Sequence, residues 1–174
     1  MAAQLDFDKL DLQDALDLAI LIEEEAKERY QQFQKLVGGR YKGDAADVFK
    51  TMAENEGKHH AELVTRRNQL FKGAASRVDR SWFDDVEAPD RGTPRTFMGP
   101  RQALQVALES EEKAHDFFAA ALPSLKDPRV RALFEELKAE ELQHKKHILK
   151  VLGTLPPGPD VEEQDADQPG SDGG

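Results

Sequence analysis

Four segments of the chain carry apolar residues at alternating intervals of four and three positions, which is the spacing of the buried face of a packed α-helix. These segments cover residues 12–37, 45–63, 104–121 and 130–151. Glutamate interrupts the apolar series once in every segment, and in two of them a histidine follows three residues later. The interrupting residues are Glu23 in the first segment, Glu56 and His59 in the second, Glu111 in the third, and Glu141 and His144 in the fourth. The pattern predicts an all-α protein in which four helices each place a carboxylate in the core.

Capping residues and helix breakers set the expected ends of these helices. An aspartate stands before three of them as a predicted N-cap, and a Gly-Pro pair opens the remaining one. The predicted helices run from Asp11 to about Val37, from Asp44 to near Phe71, from Gly99-Pro100 to Pro123, and from Asp127-Pro128 to Gly153.

The lengths of the connections indicate how the helices are joined. The first two helices are a few residues apart, as are the last two, so each pair should form an antiparallel hairpin. Residues 72–99 separate the hairpins and are enough to run back along the bundle, which makes the third helix parallel to the second. A four-helix bundle with one long crossover has ferritin-like topology. Residues 78–86 are expected to form a short helix on the outside of the bundle.

Composition limits the classes of function. Residues 1–153 are expected to form one domain, and residues 154–174, rich in Pro, Gly and acidic residues, a disordered acidic tail. The net charge of −10 argues against nucleic acid and anionic membranes as partners. The chain contains no cysteine, which excludes disulfides, cysteine-ligated zinc and iron–sulfur clusters within it. It shows no signal-peptide pattern at its start, so we expect a cytoplasmic protein.

Buried carboxylates need a compensating partner, because an unpaired charge in an apolar core is very unfavourable. Two divalent cations would neutralise four glutamates, with neutral imidazoles completing the set. Residues three positions apart lie on one face of a helix, so the Glu and His of each Glu-x-x-His pair can reach the same metal. Mixed carboxylate and imidazole ligands suit iron or manganese, and zinc also accepts them. The offsets of 88 residues (111 − 23) and 85 residues (141 − 56) predict two similar hairpins around a pseudo-twofold axis.

At these positions the chain resembles the ferritin-like di-iron carboxylate family, and within it the rubrerythrin-like proteins. Glu23 followed by Tyr30 is similar to the first-helix motif of that family, and residues 52–59 (MAENEGKH) are similar to its second. The resemblance implies two iron ions, with these ligands: Glu23, Glu56, His59, Glu111, Glu141 and His144. It also implies that Tyr30 stands beside the metals, although Tyr30 fits equally well as a core aromatic.

The chain also departs from the rubrerythrin pattern. It lacks the four-cysteine rubredoxin domain that delivers electrons to the di-iron site, and Ala114 stands where a further ligating glutamate is usual. Phe118 stands in place of a second tyrosine.

Three functional hypotheses follow. The first is a redox enzyme connected with oxidative stress that oxidises Fe(II) or reduces O2 or H2O2, with an external electron donor if it is a peroxidase. The second is a non-catalytic protein for storage or delivery of iron or another divalent metal, and the third is a purely structural bundle. Family resemblance further suggests a homodimer.

The other three histidines, His60, His115 and His147, fall outside the apolar series and are expected at the surface.

Overall fold

The computed structural model describes residues 5–83, 85–92, 94–95 and 98–156. Four α-helices account for most of them: α1 (Leu12–Val37), α2 (Ala45–Leu70), α3 (Pro100–Ala121) and α4 (Pro128–Thr154). Single turns of 3₁₀-helix occur at Phe7–Lys9, Arg80–Trp82 and Leu122–Ser124, and the described residues contain no β-strand. The predicted all-α, ferritin-like bundle is confirmed.

The predicted capping residues begin the helices. Asp11 and Asp44 accept hydrogen bonds from the backbone N–H groups of Asp14 and Asp47, at 2.9 and 3.1 Å. Asp127 accepts from the N–H of Arg129 at 2.8 Å. Each bond satisfies one of the N–H groups that a helix leaves unpaired at its first turn.

Two apolar clusters fill the bundle, one towards each end. Leu16, Phe118 and Phe134 belong to the first cluster, which brings together the start of α1, the end of α3 and the start of α4. Phe33, Phe49 and Ile148 belong to the second, at the opposite ends of these helices and the start of α2. This arrangement makes α1 parallel to α4 and α2 parallel to α3, as the long crossover predicted. The glutamates that interrupt the apolar series lie in the layer between the clusters.

The crossover between α2 and α3 follows the outside of α1. Gln13 donates to the Ala75 carbonyl at 2.9 Å, and further along α1 the Arg80 guanidinium pairs with Glu24 and Glu28 at 2.9 and 3.0 Å. The predicted helix over residues 78–86 is much shorter than expected, since among the described residues of this range only Arg80–Trp82 are helical, as one 3₁₀ turn. The crossover side chains bond to α1, and these long-range contacts determine its path in place of local helical hydrogen bonds.

The end of α4 lies where the predicted tail begins. Thr154 is still helical, and Arg101 of α3 donates to the carbonyls of Leu155 and Pro156 at 3.1 and 2.7 Å. The rest of the predicted tail, residues 157–174, lies outside the described residues. Within the part of the chain that the structure describes, none of the helices is both long enough and apolar enough to traverse a bilayer.

Candidate metal centre

The structure brings all six predicted ligand residues together in the layer between the two apolar clusters. The four glutamates are almost completely buried, with exposed fractions of 4% for Glu23, 1% for Glu56 and Glu111, and 2% for Glu141. The side chains of His59 and His144 are 23% and 26% exposed. The carboxylates are therefore inside the bundle, and the imidazoles lie where solvent comes nearest to them.

Each hairpin contributes one cluster of two carboxylates and one imidazole. Glu23, Glu56 and His59 form the first, and in it every pair of ligand atoms lies within 4.8 Å. Glu111, Glu141 and His144 form the second, with the same spacing. We call these two clusters the hairpin triads. They agree with the pseudo-twofold relation that the sequence predicted.

The two imidazoles meet where the hairpin triads adjoin. The rings of His59 and His144 stack with their centroids 4.5 Å apart and their planes 5° from parallel. The Nδ1 atom of His59 lies 3.4 Å from a Glu56 oxygen and 3.7 Å from a Glu23 oxygen. In the other triad, Nδ1 of His144 lies 3.1 Å from Glu111 and 3.3 Å from Glu141. The remaining histidines lie elsewhere: His147 is exposed, and His60 and His115 are partly exposed.

A fifth carboxylate, which the sequence analysis did not predict, reaches the same layer from the crossover. Glu87 is 1% exposed, and its carboxylate forms close groups with Glu23 and Glu141 and with Glu56 and Glu111. No helical period surrounds it, so the pattern of apolar positions had no means of selecting it. The only local signal is that Val86, Ala88 and Pro89 are apolar, and all three are buried.

The clustering of carboxylates changes their proton affinities. Burial raises the pKa of Glu23 to about 8, although the neighbouring His59 opposes the shift. Burial also raises the pKa values of Glu87 and Glu111 well above their ordinary range, and neighbouring carboxylates add to both shifts. Although burial opposes it, His59 holds the pKa of Glu56 below its ordinary value. Glu23 and Glu56 therefore behave as a pair in which Glu23 retains the proton.

The imidazoles are correspondingly basic. Glu23 and Glu56 raise the pKa of His59 to about 10. Burial lowers the proton affinity of His144, but Glu111 and Glu141 outweigh it and raise its pKa to about 11. Without a cation, protons on these groups compensate the negative charge of the layer.

The available donor atoms fit a pair of divalent metal ions. One oxygen each of Glu23, Glu56 and Glu141, and both oxygens of Glu87, are buried without a hydrogen-bond partner. Buried polar atoms without partners are rare in folded proteins and call for an explanation, such as an ion. Carboxylate oxygen together with imidazole nitrogen is a donor set that iron, manganese and zinc accept.

Tyr30 belongs to the second apolar cluster, where it is fully buried and stacks on Phe49. Its hydroxyl is buried without a hydrogen-bond partner. Burial, together with the charges of Glu111, Glu56 and Glu87, raises the pKa of Tyr30 well above its ordinary value. The phenol therefore stays protonated, with the charges of these carboxylates close enough to affect it.

These features define a ferritin-like bundle with a group of carboxylates and imidazoles suited to a dinuclear metal centre. The family model described as Rubrerythrin matches residues 14–91 and 102–169. The two matched segments cover all of α2 and α4 and all but the first two residues of α1 and α3, and the chain belongs to the rubrerythrin family. No curated protein matches it.

Solved structures resemble the whole bundle. An uncharacterised conserved protein from Magnetospirillum magnetotacticum is 26% identical with a TM-score of 0.67, and the match covers 87% of this chain and 100% of that one. A two-domain protein from Anabaena variabilis, with DJ-1/ThiJ/PfpI-like and ferritin-like domains, is 16% identical with a TM-score of 0.51. That match covers 87% of this chain and 40% of the Anabaena protein, and it shows the fold alone.

Proposed function

We propose that this protein is a dinuclear iron oxidoreductase that oxidises Fe(II) or reduces H2O2 or O2. The observation that carries the proposal is the meeting of two equivalent hairpin triads in one buried layer, each with two carboxylates and one imidazole. A structural bundle has no need for this arrangement, because apolar side chains would fill the same layer at lower free energy.

Each group in the layer has a role in this proposal. Glu23, Glu56 and His59 would hold one ion, and Glu111, Glu141 and His144 the other. Bound iron would supply the change between ferrous and ferric states that delivers electrons to peroxide or O2. The chain has no cysteine for an internal iron–sulfur donor, so electrons come from Fe(II) as substrate or from an external reductase.

Access to the layer is easiest at the imidazoles. His59 and His144 are about a quarter exposed, whereas all four triad glutamates are at most 4% exposed. A molecule as small as O2 or H2O2 would reach the centre beside the stacked rings without any rearrangement of the helices. In this proposal the Tyr30 hydroxyl, which is buried inside the bundle, would donate a hydrogen bond at the centre.

Rapid mixing tests the proposed reaction. Protein loaded anaerobically with two Fe(II) per chain is mixed with O2 or with H2O2, and ferric absorbance is followed by stopped-flow. We expect oxidation much faster than for Fe(II) in buffer, and the faster oxidant identifies the reaction. Two bound Fe(II) that oxidise no faster than free Fe(II) would support storage or delivery, and no bound metal would support the structural bundle.

The proposal includes three finer points: a homodimer, a cytoplasmic location and a role in oxidative stress. Leu142 and Leu149 lie seven residues apart on α4 and are 40% and 47% exposed, which favours a contact between chains along that helix. Light scattering of the native protein and of a Leu142→Glu variant measures the oligomeric state. A native monomer would contradict the dimer and leave the metal centre unaffected.

A further inference from the structure

Glu87 is buried, although it is a glutamate in a connecting segment and such residues usually lie at the surface. It lies in the crossover and is 1% exposed, and neither carboxylate oxygen has a hydrogen-bond partner. Removing a carboxylate from water without a compensating partner is among the most unfavourable changes in a protein interior. The position therefore points to a cation as the partner of the ionised group.

The neighbours of Glu87 identify the kind of partner. An oxygen of Glu87 lies within 4.8 Å of oxygens of both Glu23 and Glu141, which belong to different hairpin triads. A second group of the same size joins Glu87 to Glu56 and Glu111, again one from each triad. Since all these neighbours are carboxylates, the surroundings are anionic and suit a cation. The contacts place Glu87 across the boundary between the two triads.

Contacts from two helices hold the backbone on each side of Glu87. Arg29 of α1 is 3% exposed and donates to Asp85 Oδ1 and to the Pro89 carbonyl, both at 2.7 Å. Lys113 of α3 donates to the Ala88 carbonyl at 2.8 Å and to Asp90 at 3.0 Å. Asp85 has φ of 49°, a left-handed conformation that aspartate tolerates better than most residues. The turn and the bonds around it direct Glu87 into the bundle.

We propose that Glu87 is an additional metal ligand, supplied by the crossover and shared between the two hairpin triads, and that Arg29 is the residue that positions it. The inference rests on the metal pair of the proposed function. It goes further because it makes the crossover part of the centre, so that metal binding and crossover position are coupled.

Metal affinity of Glu87 variants tests the ligand role. The full chain is dialysed against Mn(II), and bound metal is measured for native protein, Glu87→Gln, Glu87→Ala and the control Glu109→Gln, an exposed acid on α3. We expect two Mn(II) in native and control proteins, and affinity about tenfold weaker or more in both Glu87 variants. The alanine variant introduces no buried amide, so Mn(II) affinity can still be measured without the Glu87 carboxylate if the glutamine variant misfolds.

The outcomes separate this inference from the proposed function. Native protein without a metal pair would overturn both. A metal pair bound equally well by native protein and a folded Glu87 variant would overturn only the role of Glu87. Melting of the metal-free proteins checks folding, and we expect the Glu87 variants to melt no lower than native protein, because each loses an unpaired buried carboxyl group.

A double-mutant cycle tests the positioning role of Arg29. Lysine retains the charge but not the two-pronged donor geometry, so Arg29→Lys should weaken Mn(II) binding. If Arg29 acts through Glu87, the same change should have no effect on affinity in the Glu87→Gln background. An equal loss of affinity in both backgrounds would overturn this role.

Trp82, the only tryptophan, lies in the same crossover and reports its position. Zn(II) is a suitable probe, because it has no redox chemistry. Its addition should change Trp82 emission in native protein and not in Glu87→Gln. The same emission change in both proteins would contradict the coupling.

Discussion

The buried carboxylates differ from the surrounding core residues in what they require of their environment. Glu56 is 1% exposed, and one of its oxygens has no hydrogen-bond partner, whereas Phe49 on the same helix needs only apolar contacts. Replacing one of these carboxylates is expected to weaken ion binding and to relieve unpaired charge in the metal-free protein, so ion binding and stability must both be measured. Individual side chains of the layer provide the most direct tests.

Glu56→Ala should lower metal content and abolish fast Fe(II) oxidation, because it removes a carboxylate that would bind metal in the first triad. The matched comparison is His59→Ala with His60→Ala, since these neighbours point in different directions around α2. We expect metal affinity to fall about tenfold or more for His59→Ala and to stay unchanged for His60→Ala. Similar metal contents in the two histidine variants would contradict the assigned ligand face.

Tyr30→Phe should leave the protein folded and able to bind two metal ions. The Tyr30 hydroxyl is buried without a hydrogen-bond partner, so its removal should not lower the melting temperature of the metal-free protein, and a gain of up to about 1 kcal/mol is expected. Thermal unfolding measures this effect, and stopped-flow shows whether the oxidation rate changes. Loss of metal from the variant would mean that Tyr30 itself is a ligand.

At the scale of elements, a buried ion pair links α1, α2 and the beginning of the crossover. Arg67 Nε lies 2.7 Å from Asp17 Oδ1, and Arg67 Nη2 lies 3.2 Å from Asp17 Oδ2. The same guanidinium donates to the carbonyls of Phe71 and Ala74 at 2.9 and 2.7 Å. One side chain thus connects the hairpin to the segment that carries Glu87.

Arg67→Met should destabilise the metal-free protein by about 3–5 kcal/mol, because Asp17 would remain buried without its partner. Thermal unfolding should show a melting temperature lower by on the order of ten degrees. The control is Arg66→Met on the adjacent position, whose partner Glu136 is half exposed. That change should cost about 1 kcal/mol or less. Equal shifts for the two variants would contradict the importance of the buried pair.

At the scale of the whole molecule, the carboxylate layer couples folding to protons. The unfolded pKa of Glu23 is near 4.5 and its folded pKa is about 8, so the folded chain retains a proton that the unfolded chain loses. His59 retains its proton to about pH 10 and His144 to about pH 11, against 6.5 for the unfolded residues. Between pH 6 and 9 the folded metal-free protein therefore binds more protons than the unfolded chain.

The free energy of unfolding of the metal-free protein should therefore decrease as the pH rises from about 6 to about 9. Each histidine makes its full contribution to the free energy of unfolding at pH values below the pKa of the unfolded residue. That contribution disappears as the pH rises through the pKa of the folded residue. Denaturant titrations of chelator-treated protein at several pH values measure this trend. Stability that increases with pH over this range would contradict the raised pKa values.

Metal should reverse this pH dependence. Ions displace the protons on the carboxylates and imidazoles, so metal affinity should rise with pH. At a free concentration of 100 times the dissociation constant, each independent site should add about 2.7 kcal/mol to the free energy of unfolding. Melting with and without the same fixed concentration of free Mn(II) at pH 6 and pH 8 tests proton displacement, and equal shifts at the two pH values would contradict it.

Helix boundaries and the six triad residues could be predicted from the sequence because they depend on local regularities. A capping aspartate acts within its own first turn, and a glutamate in an apolar series shares the direction of its helical neighbours. Asp11, Asp44 and Asp127 begin helices as predicted, and Glu23 and Glu111 lie in the core. The role of the six residues as ligands stays a prediction.

Tertiary structure alone decided the course of the crossover and the position of Glu87. The crossover has no repeating period, and its path depends on Arg29 and Lys113, which are far from it in sequence. Arg29 and Asp17 look like solvent-facing residues in the sequence, yet they are buried because the crossover and the end of α2 bond to them. Periodicity reports which face of a helix is apolar, whereas the segment that covers the other face is determined by contacts between distant parts of the chain.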